Sequence, residues 1–160
     1  MIEKFKIDSL DKKILGILMN DSRTPFLEIS RKCGVSGAAI HQRIQKMQDA
    51  NIISGYSLKL NPYAMGYETC AFIGVQINLK TSRTHDEVFS KIMQVPEVVE
   101  AHHISGKYSL LLKIYTKNNK ELKNLIVEKI QSIPEINYTE TFVSLEEGFS
   151  LKNLVFISDI

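Results

Sequence analysis

A fourteen-residue pattern in the second half of the chain occurs twice. KIMQVPEVVEAHHI, residues 91 to 104, aligns with KIQSIPEINYTETF, residues 129 to 142. Lysine-isoleucine, then an aliphatic residue, proline, glutamate and a further aliphatic residue fall at matching places, at an offset of 38 residues from Lys91 to Lys129. A repeat at fixed offset restricts a chain to topologies that use one supersecondary unit more than once. Each copy has the form of a helix end, halted before Pro96 or Pro134, followed by a strand. Upstream, Val88, Ile92 and Val95 share one helical face, as do Leu122, Leu125, Ile126 and Ile130. Both predicted helices are therefore amphipathic and pack on one side only.

Before the first of these helices, Ile73, Val75, Ile77 and Leu79 alternate with Phe72, Gly74, Gln76 and Asn78, the period of a half-buried strand. Between the repeats, SGKYSLLLKIY places a turn at its glycine and then a strand in which both Leu110, Leu112, Ile114 and Leu111, Tyr115 are apolar. The order strand, helix, strand, strand, helix, strand predicts the split ferredoxin-like βαββαβ plan, an antiparallel sheet with both helices on one face. A strand apolar on both faces needs two covers. The helices supply one, and a second subunit is expected to supply the other, which predicts a homodimer.

The first third has a different period. Asp8 is placed to cap a helix carrying Leu10, Ile14, Ile17 and Leu18 and ending near Asn20. Thr24 before Pro25 predicts a second start, with Thr24 as the cap and Phe26, Ile29 and Cys33 as one apolar stripe. Gly34 stops this helix, Val35 turns inward, and Ser36 caps a third helix to about Ala50. Two helices joined by a short glycine-containing turn form the DNA-reading helix-turn-helix unit. On the third helix Ile40, Ile44 and Met47 define the buried stripe, so Ala38, Gln42 and Gln45 point away from it with His41 beside them. Ser36, Gly37 and Ala38 are small enough for close approach to a groove floor. Gln42 is the best base-reading candidate, because an amide pairs with both adenine N6 and N7. Arg43, Lys46, Arg23, Arg31 and Lys32 suit phosphates, which position a protein without reading sequence. After this helix, NIISGYSLKLN alternates with period two and predicts a strand or short ribbon, from which Lys59 can reach a phosphate.

Charge follows the same division. Residues 1 to 60 carry ten Lys/Arg against six Asp/Glu, whereas 61 to 160 carry 10 against 12. A polyanion therefore meets the front of the chain. No apolar run approaches the ~18 residues of a spanning helix, and the charged start lacks a signal-peptide core, so a cytoplasmic protein is expected. Cys33 and Cys70 fall in a predicted helix and strand and look like small buried hydrophobes. His102 and His103 are adjacent on a predicted strand, so they point to opposite faces and cannot share a metal. No nucleophile-base set, phosphate loop or carboxylate pair occurs at a usable spacing, so neither an enzyme nor a cofactor is expected.

The order helix, helix, GVS turn, third helix, then ANIISGYSLKLNPYAMGY resembles the Lrp/AsnC (feast/famine) regulators. Arg43, Ile44, Met47, Ile52, Ile53, Gly55, Gly66 and Tyr67 carry the likeness, which extends over nearly the whole chain. It implies an α+β protein with a winged helix-turn-helix in residues 1–52, a strand or linker in 53–66, and a ferredoxin-like effector-binding and oligomerisation domain in 67–160. It implies binding to double-stranded DNA, face-to-face dimers that in the family often assemble into octamers of four dimers, and a small-molecule effector such as an amino acid. In the family that effector binds between dimers near a Gly-x-Tyr-Asp turn. Ser105, Gly106, Tyr108 and Ser109 match the turn here, with Ser109 in place of the aspartate, and His103, Thr139 and Thr141 fall near the same pocket. Gly37 and Ala38 replace the proline or threonine that commonly opens the family's recognition helix. An effector-independent protein that wraps DNA is the alternative.

Overall fold

The computed structural model describes residues 5–78 and 82–147, with side chains from residue 85 in the second stretch. The chain divides into two compact units, the first ending at Lys59 and the second beginning at Leu60.

The first unit holds helices α1 (Ser9–Asn20), α2 (Phe26–Cys33) and α3 (Gly37–Asp49). Asp8 caps α1 as expected, and Asp11 completes a capping box by accepting the Asp8 N–H in return. Such reciprocal bonds satisfy two of the four orphan N–H groups of a helix start. Thr24 does not cap α2. Its hydroxyl donates to the Asp21 carbonyl at 2.8 Å, closing the α1–α2 turn, and α2 begins after Pro25. Gly34 ends α2 at φ +70, a left-handed conformation that costs other residues about 1 kcal/mol or more. Ser36 then caps α3, its Oγ accepting from the Ala39 N–H at 3.2 Å. Ile14, Leu15, Leu18, Ile29, Ile40, Ile44 and Met47 form the core. Of the stripe expected on α2, only Ile29 is fully buried. Cys33 packs partly against the core, and Phe26 is 39% exposed.

The strand or short ribbon expected over 53–58 is not formed by these residues. Ile52 and Ile53 instead fold back onto the core, both donating their N–H groups to the Met47 carbonyl, while Asn51 takes a left-handed conformation at φ 55. Residues 54–61 run without secondary structure, and among the described residues no strand pairs with them.

The second unit follows the expected plan. A 3₁₀ turn (Tyr63–Met65) leads to β1 (Thr69–Ile77), α4 (Ser82–Ile92), β2 (Val98–His103), β3 (Leu110–Thr116), α5 (Asn119–Leu125) and β4 (Ile136–Val143). The sheet order is β2-β3-β1-β4, every pair antiparallel. α5 continues as one π-helical turn over Ile126–Ile130, closed by Gln131 N–H donating to the Ile126 carbonyl at 2.8 Å. Ala71, Ile73, Val75 and Ile77 of β1 and Leu110, Leu112 and Ile114 of β3 face Val88, Ile92, Leu122, Leu125 and Ile130 from the helices. Each fully buried Leu or Ile in this layer contributes roughly 1.5–3 kcal/mol. Leu79 lies outside the described residues.

Candidate nucleic-acid interface and effector surface

The candidate reading face is built by α3. Burial of Ile40, Ile44 and Met47 turns the opposite side to solvent, and Ala38, His41, Gln42, Gln45 and Lys46 are all exposed there. Ser36 is exposed at the helix start, whereas Gly37 is half-buried. Gln42 has no hydrogen-bond partner among the described residues, so both ends of its amide are available. Gln45 is already engaged, its Nε2 donating to Asp49 at 2.9 Å. His41 meets the edge of the Phe26 ring at 5.9 Å between centroids, which holds the imidazole at the helix surface. Of the cations, Arg23 is almost fully exposed beside Asp21, and Lys59 and Arg31 are exposed. Lys32 is paired with Glu28 at 2.8 Å.

Arg43, expected at a phosphate, has a different occupation. Its Nη1 donates to Asp8 at 2.5 Å and to both oxygens of Asp11 at 3.2 and 3.3 Å. Asp11 is completely buried, so the guanidinium is its counter-charge. The contacts reinforce one another. The Asp11 N–H, with Arg43 behind it, holds the Asp8 carboxyl below its ordinary range despite some burial, and Asp8 holds Arg43 protonated above its already high value. Position on α3 made Arg43 look free; the acidic first turn of α1, DSLD, carried the contrary signal.

The residues expected around an effector are distributed over both faces of the sheet. His103 pairs in register with Leu110, on the helix-covered side, and its ring stacks on Phe89 of α4 at 4.5 Å with His85 at 5.3 Å. His102 points the other way, 3.7 Å from Glu100, so the two histidines diverge as expected. Thr139 and Thr141 sit opposite Val75 and Ile73 and share their helix-side face. Tyr108 lies on the open face, its ring above Gly74 and its hydroxyl donating to Glu140, which Lys107 also reaches at 2.5 Å. Ser105 and Gly106 are exposed in the β2–β3 turn. Ser109 ties β3 to β1, donating its N–H to the Val75 carbonyl at 2.8 Å and accepting from the Ile77 N–H at its Oγ.

His103 and the two threonines lie on opposite edge strands, separated by β3 and β1, a span of about 14 Å at normal strand spacing. One chain does not bring them into one pocket. Two neighbours were not anticipated from sequence. Gln131 donates to the Thr139 hydroxyl at 2.8 Å, reaching it from the end of the π turn, and Glu140 gathers Lys107 and Tyr108. Both lie inside the second repeat copy, but at places the two copies do not share.

The open face of the sheet is not purely apolar. Lys113, only 13% exposed, stands between Glu100 and Glu147 at 3.6 and 3.5 Å, with its ammonium over the Phe72 and Tyr115 rings. Burial first, then the neighbouring Cys70 thiol, pushes the Tyr115 hydroxyl up to about 12. Tyr63 covers part of Tyr115 edge-on. Phe142 and Tyr138 are nearly half-exposed on the same face. No helix among the described residues is long and apolar enough to cross a membrane.

Known proteins share both units. Residues 7–48 match the AsnC-type helix-turn-helix domain, and residues 70–152 match the Lrp/AsnC ligand binding domain. The regulatory protein AsnC of Haemophilus influenzae is 42% identical over 140 residues, covering 88% of this chain and 92% of that protein. The solved structure of Escherichia coli AsnC superimposes with a TM-score of 0.86 at 34% identity, covering 93% of this chain and 99% of that one. The crystal structure of a Neisseria meningitidis transcriptional regulator in complex with L-methionine has the same fold, with a TM-score of 0.86 at 23% identity over 93% of this chain and 96% of that one. With its helix-turn-helix followed by an effector-binding α+β unit, the chain belongs to the Lrp/AsnC family of transcriptional regulators.

Proposed function

We propose that this regulator binds double-stranded DNA sequence-specifically through α3 and that an amino acid or related small metabolite, held by the second unit, controls its assembly. The observation that carries the DNA reading is the exposed, unpartnered Gln42 on the face of α3 opposite Ile40, Ile44 and Met47. Lys46, Arg23 and Lys59 act on phosphates around it, with Ser36, Gly37 and Ala38 allowing close approach, His41 beside Gln42, and Gln45 braced by Asp49. The working division is a DNA-binding part in 1–52, a connecting segment in 53–66 and an effector and assembly part in 67–160.

The effector site is completed between chains. His103 lies on one edge strand and Thr139 and Thr141 on the other, too far apart to hold one small ligand within one protomer, while Tyr108 and Ser109 stand between them against Gly74 and Val75 of β1. The Neisseria relative holds L-methionine, which supports an amino acid as the class of ligand. Ser109 offers the α-ammonium group a neutral hydrogen bond in place of a charged one, a difference of about 1 kcal/mol. The half-exposed Phe142 and Tyr138 favour a homodimer through the open face, and dimers can assemble further to octamers.

Selection of bound sequences from random DNA tests the first part, and a two-fold motif is expected. Calorimetry against the twenty amino acids tests the second, with heat expected from at least one. No heat from any, together with binding to all DNA alike, would instead identify a protein that wraps DNA without an effector. Sedimentation at micromolar concentration should show a dimer or a multiple of it, and a stable monomer would remove the assembly.

A further inference from the structure

α3 carries two cations, Arg43 and Lys46, and they differ in what they touch. Lys46 is exposed and unpaired among the described residues, whereas Arg43 is bound to the first turn of α1. There, Asp8 and Asp11 already exchange backbone-to-carboxylate hydrogen bonds at 2.9 and 3.1 Å, so capping box and guanidinium form one network across helices 32 and 35 residues apart in sequence. Removing Arg43 to a phosphate would leave Asp11, with no exposed surface, buried without a counter-charge, which is strongly unfavourable. We infer that Arg43 is a positioning residue, tying the recognition helix to the start of α1 and setting the angle at which α3 is presented, and is not a phosphate contact.

This inference rests on the DNA-reading function proposed above and adds a sign that function alone does not contain. Were Arg43 a phosphate contact held back by acidic neighbours, neutralising Asp8 would release it and strengthen binding. As a positioning residue, it loses the shorter of its two carboxylate contacts when Asp8 is neutralised and keeps only Asp11, so its hold on α1 loosens and binding weakens. Asp8→Asn isolates the charge, because asparagine caps helices as well as aspartate does.

The test is DNA affinity of the full chain as a function of salt, on a sequence selected from random DNA, for wild type, Asp8→Asn, Arg43→Gln, the double variant and Lys46→Ala. Residues that act on a binding site without touching the ligand shift affinity by about two- to thirtyfold, and a Kd increase within that range is expected for Asp8→Asn and for Arg43→Gln. The double variant should be no weaker than Arg43→Gln alone, and both singles should keep the wild-type salt slope. Lys46→Ala should lower that slope by about 0.9. Unchanged or tighter binding by Asp8→Asn, or a slope lowered by about 0.9 in Arg43→Gln, would overturn the inference. A wild-type chain that selects no DNA would overturn the DNA-reading function itself, and this role with it.

Discussion

Lys129 donates to Glu97 at 2.7 Å, joining the second repeat to the first. The equivalent pair runs the other way: Lys91, at the matching place in the first repeat, reaches Glu135 of the second at 3.3 Å. The two copies of Lys-Ile…Pro-Glu are thus exchanged partners in the fold. Each helix end is pinned to the turn that precedes the other helix's strand.

Glu97 makes this arrangement sensitive to acid. Burial alone would raise its carboxyl, but the Lys129 hydrogen bond and charge outweigh that and hold it below its ordinary value. A carboxylate lowered on folding stabilises the protein above the ordinary carboxylate range, and the contribution is lost as pH falls through the lowered value. Glu97→Gln should therefore cost about 0.2–1 kcal/mol at neutral pH, the range of a solvent-accessible pair. The difference from wild type, followed by urea unfolding, should shrink in acid. A difference independent of pH would show that the pair carries no linkage.

Tyr108 depends on a missing side chain. A Cβ at Gly74 would stand 2.7 Å from the Tyr108 ring, closer than atoms in contact can lie, so the aromatic needs glycine beneath it. Gly74→Ala should destabilise the second unit by about 1–3 kcal/mol, the usual cost of overpacking. Adding Tyr108→Ala should recover part of that loss in thermal unfolding. Additive losses would mean that the two positions do not meet.

The two cysteines should be distinguishable by a thiol reagent. Cys33 is half-buried, while Cys70 is 3% exposed and burial pushes its thiol up, keeping it in the unreactive protonated form. One thiol per chain should react promptly in the folded protein and the second only on unfolding. Equal rates would contradict the burial of Cys70.

Helix and strand faces were legible in the sequence wherever apolar spacing alone decides burial. Ile40, Ile44 and Met47 on α3, Val88 and Ile92 on α4, and Ile73 and Val75 on β1 are buried as their periods required. What was not legible involves a second element. Period two over 53–58 describes a pleat, but a strand exists only where another accepts its hydrogen bonds, and Ile52 and Ile53 were drawn into the helical core. Arg43 stands on the accessible side of its helix by spacing, yet a buried carboxylate more than thirty residues away claims it. Thr139 and Thr141 were assignable to β4, but which face they take, and that Gln131 meets one of them, depends on register with β1 and on the π turn.

Gln42 supports the account most directly, and parallel selections from random DNA with wild type and Gln42→Ala measure its role. The wild type should enrich a roughly palindromic site with half-sites about 10 base pairs apart, as two recognition helices in successive major grooves require. Gln42→Ala should lose discrimination worth about 1–3 kcal/mol at one or two base positions in each half-site and keep the rest of the motif. An identical motif from both proteins, or none from the wild type, would contradict the assignment of base reading to α3 through this residue.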